Sequence, residues 1–220
     1  MTNWLESLLD LIFPPHCEVC RNNCRAALCP DCRQQIKFLK PHLGLYAAAE
    51  YDGVLKTALH RLKFQKVKRL AGPLGLILAQ YLGGLADFKQ TPADLIVPVP
   101  LHPRRQRLRG YNQSLLLAQV IGQQLGLPVQ ENLARIKDTR PQFDLPRTDR
   151  FKNIAGAFQV KEPETISGRR LILLDDIYTT GATVAECVKA LRPAAPRGIV
   201  VVTLARATGS EHAAMIAENG

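Results

Sequence analysis

At 220 residues the chain has room for one ordinary α/β domain and an appendage. Apolar residues make up 46% of it at a mean hydropathy of −0.06, which points to a packed, soluble protein, and no apolar run approaches the roughly 20 residues of a transmembrane helix. The net charge of +10 is concentrated in residues 1–70 and 100–150, each carrying +5, a pattern that suits polyanions as well as it suits two solvated faces.

The opening "MTNWLESLLDLIFPP" places Trp4, Leu5, Leu8, Leu9 and Ile12 at helical spacing. Glu6 and Asp10 interrupt it, and no basic stretch precedes it. It reads as an amphipathic helix stopped by Pro14-Pro15, packed on its own domain or docked on a partner, and not as a signal peptide. "CEVCRNNCRAALCPDC" follows, with Cys17-x2-Cys20 and Cys29-x2-Cys32 spaced to put four thiolates tetrahedrally around one Zn²⁺. Four protein ligands close such a site, so the metal is structural and supplies folding energy that so small a segment lacks. Cys24 is a spare thiol, able to replace Cys20 but disfavoured by the paired spacing. His16 reads as a neighbour and Cys187 as a core cysteine. Arg21, Arg25 and Arg33 flank the cluster and would have to offset its negative charge in any nucleic-acid contact.

Residues 47–85 show helix-like apolar spacing interrupted by Arg61, Lys63, Lys66, Lys68 and Arg69, with Phe64 among them. That crowd is either a nucleic-acid contact or a solvated helix face. "DLIVPVPL" (94–101) predicts a buried strand, "HPRRQRLRGYNQS" a basic loop, and "LLLAQVIGQQLG" a helix ended by Gly126. "LPVQENLARI" predicts a second strand. Residues 137–158 lack periodicity and predict a long functional loop. "RRLILLDDI" predicts a third strand, "ATVAECVKALRPAA" a helix and "GIVVVTLAR" a fourth strand. Strands alternating with helices predict a parallel sheet covered on both faces.

Within "LILLDDIYTTGATV" the apolar strand runs straight into Asp175 and Asp176, and "TTGAT" then turns into a helix beginning near Ala182. Ligands of such sheets bind beyond the carboxyl ends of the strands. A helix N-terminus reached through Gly181, with Thr179, Thr180 and Thr183 beside it, is built for phosphate. Two carboxylates repel phosphate and suit vicinal hydroxyls or a metal-bound hydroxylated ligand, and phosphate next to a diol describes a ribose 5-phosphate. Acidic pairs at strand ends also occur in Mg²⁺-dependent phosphatase and receiver domains, which need no such cradle. A P-loop is excluded by the absence of GxxxxGK[ST]. Gly110-Tyr111-Asn112-Gln113 reads as a turn and helix start or as part of the same site.

"LILLDDIYTTGAT" resembles the phosphoribosyl-pyrophosphate (PRPP) motif of type I phosphoribosyltransferases. Together with the CxxC…CxxC head, "VPVPLHPRRQRLRGYNQS", "RPQFDLPRTDRFKNIAGAF" and the closing "TLAR", the chain is similar to the ComF/GntX-like family of that superfamily over residues 17 to 206. The resemblance implies an α/β fold, a type I phosphoribosyltransferase-like parallel sheet flanked by helices. A small N-terminal zinc-binding subdomain with four cysteine ligands, double zinc ribbon-like and preceded by the helix, would span residues 1–40, and the phosphoribosyltransferase-like domain residues 41–220. Asp175 and Asp176 would contact the ribose 2′ and 3′ hydroxyls as the catalytic pair, Ile177 and Tyr178 would continue the binding segment, and Thr179, Thr180, Gly181, Ala182 and Thr183 would hold the 5′-phosphate. Leu101 to Arg104 would lie at the pyrophosphate loop, with Arg104 and Arg109, helped by Arg105 and Arg107, neutralising pyrophosphate and Mg²⁺ bridging pyrophosphate and ribose oxygens. Arg140, Arg147 and Arg150 would close over the leaving group.

Two functions follow from the resemblance. One is a PRPP-binding cytoplasmic protein of DNA uptake or utilisation in natural competence. It would contact single-stranded DNA through Arg21, Arg25, Arg33, Arg61, Lys63, Lys66, Lys68 and Arg69 and work with DNA-uptake proteins, without a membrane span. The other is an active phosphoribosyltransferase whose acceptor is an unidentified nucleobase or amine.

Overall fold

The computed structural model describes residues 14–42, 44–90, 92–139 and 146–207, with the backbone alone at 147 and 148. The amphipathic helix expected over the first residues, Arg140 and the side chain of Arg147 lie outside the described residues. Four strands form one parallel sheet in the order β1-β6-β5-β2: β1 (Leu45–Glu50), β2 (Leu95–Pro98), β5 (Arg170–Tyr178) and β6 (Gly198–Arg206). A separate antiparallel pair joins β3 (Leu133–Arg135) to β4 (Phe158–Val160). The helices are α1 (Pro30–Gln34), α2 (Gly53–Phe64), α3 (Ala71–Gly83), α4 (Ala86–Gln90), α5 (Pro103–Arg109), α6 (Gln113–Leu125), α7 (Arg147–Ile154) and α8 (Ala182–Leu191).

Burial on both faces explains the unbroken apolar run of β5, as expected for a parallel strand. Ile172 and Leu174 pack on one side with α2, α3 and α6, while Leu171 and Leu173 pack on the other with α8 and Ile154 of α7. The cysteine segment belongs to the first of these cores: Cys17, Leu28, Cys29, Cys32 and Ile36 share its buried cluster with Leu59, Leu62 and Leu70. Among the described residues no helix is long and apolar enough to cross a membrane.

Several elements differ from the sequence expectation. Ala47 to Ala49 belong to β1 and not to a helix-like stretch; Ala48 and Ala49 are buried in the core that α3 covers and Ala47 in the other core, and packing overrides the helix propensity of alanine. The "basic loop" contains α5, which starts at His102, whose ring nitrogen accepts from the Arg104 N–H, and ends at Gly110 with φ +85. The second strand is divided. Val129 makes only a single parallel bridge to Ile96 of β2, and residues 133–135 leave the main sheet to pair with β4. The long loop of 137–158 holds α7.

Helices α3 and α6 approach closely because Gly75 has no side chain. A Cβ there would sit 2.6 Å from the Cβ of Val120. Gly75→Ala is expected to cost about 1–3 kcal/mol, read as a lower urea midpoint at unchanged slope.

Candidate functional site

A cavity of about 980 Å³ opens at the carboxyl edge of the sheet, lined by the end of β5, the start of α8, the last turn of α2, α5 and β3. The four apolar residues of β5 lead directly to Asp175 and Asp176, the two carboxylates lining it, which are only 8% and 3% exposed. Asp175 Oδ1 accepts from Ser114 Oγ at 3.0 Å and from the Asp176 N–H at 2.9 Å. Asp176 Oδ2 lies 2.6 Å from Lys63 Nζ and takes no hydrogen bond beyond that ion pair. Burial pushes the Asp175 carboxyl up to about 7, helped by the charge of Asp176 and opposed by Lys63, the Asp176 N–H and Ser114.

The sequence "GYNQS" assembles this arrangement residue by residue. Gly110 closes α5 in a left-handed conformation, and the Tyr111 hydroxyl donates to the Leu62 carbonyl on α2. Asn112 caps α6 by accepting from the Ser114 N–H at 3.0 Å and donates to the Val99 carbonyl at 3.0 Å, fixing the helix to the loop after β2. Gln113 accepts from Arg109 and lines the cavity, and Ser114 reaches Asp175. On the far side of β5, α8 begins after Gly181, whose φ of +79 strongly favours glycine and which has no side chain to cap the helix. The positive end of α8 therefore faces the cavity beside Thr179 and Thr183. Thr180 is buried, and its hydroxyl accepts from the Ala182 N–H at 3.5 Å.

Four guanidinium groups, those of Arg105, Arg109, Arg135 and Arg150, line the cavity. Arg109 lies 5.4 Å from the Phe64 ring, and burial lowers its pKa while Asp176 raises it. Arg135, 7% exposed, stacks 5.6 Å over Phe158, bonds Thr139, and leaves its Nε with no partner. Burial, then the neighbouring charge of Arg105, lowers the Arg135 pKa. Arg105 itself donates to the Thr139 carbonyl. Of the expected ligand-binding residues, Asp175 to Thr179, Gly181 to Thr183 and Arg109 line the cavity, as does Arg150. Arg104 does not: it pairs with Asp138 at 3.2 Å on the surface. Sequence reasoning missed Ser114 and Arg135; a basic residue closing a strand that runs toward the ligand edge was the available signal for the latter.

The second constellation is the cysteine cluster. The Sγ atoms of Cys17, Cys20, Cys29 and Cys32 all lie within 4.8 Å of one another, with Cys17–Cys32 and Cys20–Cys29 at 3.7 Å. Zinc–sulfur bonds of about 2.3 Å give a tetrahedral edge of about 3.8 Å, so these four fit a structural Zn²⁺. Backbone N–H groups of Val19 and Cys29 point at Cys17 Sγ at 3.4 Å. Burial raises the Cys17 thiol, but N–H groups of Cys29, Cys20 and Val19 outweigh it and bring it down to about 6. Cys24 bonds the Ala26 carbonyl and stands apart, and Cys187 is buried in the core.

Glu18, inside the first CxxC, is a buried carboxylate that gathers Arg69 (2.9 Å), Arg61 (3.6 Å) and Arg21 (3.7 Å). Arg33 bonds Gln80 of α3, and Lys68 lies 5.1 Å from the Tyr111 ring. Lys63 and Lys66 line the cavity, and Arg25 is exposed. The eight residues expected at nucleic acid are thus divided among the Glu18 cluster, the cavity and the surface.

A double zinc ribbon domain model matches residues 8–44. Competence protein F of Haemophilus influenzae is 33% identical over 89% of this chain and 98% of that one. The DNA utilization protein YhgH of Salmonella typhimurium is 31% identical over 80% of this chain and 83% of that one. Among solved structures, an adenine phosphoribosyl transferase from Trypanosoma brucei superposes with a TM-score of 0.42 over 84% of this chain and 92% of that one, at 9% identity.

Proposed function

The chain belongs to the family of competence protein F and the DNA utilization protein YhgH, and from that membership and the phosphoribosyltransferase-like motif of residues 171–183 we propose that it binds PRPP and serves DNA uptake or utilisation in contact with single-stranded DNA. The observation that carries the reading is one cavity holding a buried carboxylate pair, a helix start reached through Gly181 and a wall of arginines. In this reading the 2′ and 3′ hydroxyls donate to Asp175 and Asp176. The 5′-phosphate takes the segment from Thr179 to Thr183, whose amides and hydroxyls compensate its charge. The pyrophosphate faces Arg105, Arg109 and Arg135. Mg²⁺ would neutralise part of the pyrophosphate charge beside these arginines, while Ser114 and Lys63 hold the two lining carboxylates in place. A cytoplasmic setting belongs to the same proposal, since the four thiols must stay reduced to hold metal.

The buried, unpartnered Nε of Arg135 beside Arg105 favours a second reading, catalysis. Bound Mg²⁺ supplies charge neutralisation at the departing pyrophosphate. The arginines add to it, and the carboxylate pair fixes the sugar and favours positive charge developing on the ring as a nucleobase or amine attacks.

Calorimetry on the metal-loaded full chain is expected to give saturable heat with PRPP and Mg²⁺; absence of heat defeats the first reading. Pyrophosphate release in a screen of nucleobases and amines tests the second. Anisotropy of labelled single-stranded DNA over a salt series tests the nucleic-acid contact; binding confined to very low salt speaks against it.

A further inference from the structure

The last turn of α2 is held from four directions. Arg61 meets Glu18 of the cysteine segment, the Leu62 carbonyl accepts from Tyr111, Lys63 meets Asp176, and the Phe64 ring lies against Arg109. Lys63 is therefore placed from both sides of its helix. Its side chain is 18% exposed and that of Asp176 only 4%. Lysines are rarely so buried unless paired, and a buried pair is weak support for stability because desolvation offsets the Coulomb gain. Retention of the pair calls for a role in the cavity it lines.

We propose that Lys63 is the resident counter-cation of the Asp175–Asp176 pair, holding the carboxylates charged so that they accept from a sugar diol. This rests on the reading that the pair takes the ribose hydroxyls. Lys63 compensates the acidic charge from within the protein, leaving the remaining lone pairs of the two cavity-lining carboxylates to accept from the diol. The Asp175 carboxyl, raised by burial and by Asp176, fits this picture, since Lys63 is the strongest influence holding it down. The other ionisable groups acting on the pair are Arg109 from α5, Arg135 from β3 and Cys187 from α8. Burial keeps the Cys187 thiol well above its usual range and so neutral, which leaves Lys63 as the cation in direct contact.

The test uses the metal-loaded full chain and Lys63→Met, with Lys63→Arg as the charge-conserving control. Ribose 5-phosphate, which carries the diol and no pyrophosphate, is the probe. The parent is expected to bind it saturably, in chelator-free buffer that keeps the structural zinc in place. Lys63→Met is expected to bind about tenfold more weakly at pH 7, to recover as pH rises, and to show the Asp175 carboxylate titrating higher by carbon NMR without ligand. Lys63→Arg restores most of the affinity. A Lys63→Met whose titration and pH profile match the parent overturns the proposal. If the parent binds neither ribose 5-phosphate nor PRPP while Lys63→Met still shifts the titration, the sugar-phosphate reading has failed and takes the assigned role with it. The ion pair alone then stands.

Discussion

Cys29→Ser is expected to lower the melting temperature of the whole chain, by roughly 10 °C or more, in one transition and not as a separate early melt of the N-terminal segment. The cysteine segment contributes Cys17, Leu28, Cys29, Cys32 and Ile36 to the core that also buries α2, α3 and α6. Loss of the metal leaves buried thiols that repel one another when ionised and removes the tie that closes the loop between residues 17 and 32. Structural zinc contributes on the order of 10 kcal/mol to folding in small domains, and a fraction of that suffices for this shift. Cys24→Ser is the control: its thiol bonds only the Ala26 carbonyl, stands outside the four-sulfur cluster, and should leave the melt within a degree or two. Chelation of the parent should reproduce the Cys29→Ser melt. A Cys29→Ser protein that melts with its parent would show that metal does not hold this segment.

Asp175→Asn is expected to separate function from stability. Its carboxyl titrates at about 7 in the fold, against an ordinary value of 3.8. A raised value means that the folded state binds the proton more tightly than the unfolded chain. The associated stability is full below the ordinary value and is lost as pH rises through about 7. At pH 8 the parent thus carries a buried charge at a cost on the order of a few kcal/mol, which Asn removes while still accepting from Ser114 and the Asp176 N–H. The variant should be more stable than the parent at pH 8 and nearly equal to it near pH 4, by urea unfolding at each pH. Its affinity for PRPP should fall roughly tenfold to hundredfold, the loss of a charged hydrogen-bond acceptor. Equal destabilisation at both values would refute the assignment of a costly buried charge.

The strand-to-cradle segment was legible because its signals coincide. An apolar run long enough for a strand buried on both faces ends in two carboxylates, and a glycine then opens a helix. The cysteine pairs were legible for the same reason, since two CxxC spacings leave few alternatives. Helix α5 was hidden by its arginines, which read as loop until His102 and Gly110 are seen as its two ends. The alanines of β1 were hidden because their strand conformation comes from packing in the two cores and not from propensity. Lys63 was hidden most completely. A lysine in a basic helical stretch looks the same whether it faces water or a carboxylate contributed by a distant strand, and only the register of α2 against β5 decides.

The three arginines around Glu18 bear on how the chain would meet a polyelectrolyte. Affinity for nucleic acid depends on how many phosphates are neutralised and how many condensed counter-ions are thereby set free. Arg61 is 16% exposed and turned toward an internal carboxylate, so it cannot reach a phosphate without abandoning Glu18. The excess of positive charge in the first seventy residues is therefore partly ballast for the fold. A tally of basic residues will predict a steeper dependence on ionic strength than the folded molecule can deliver.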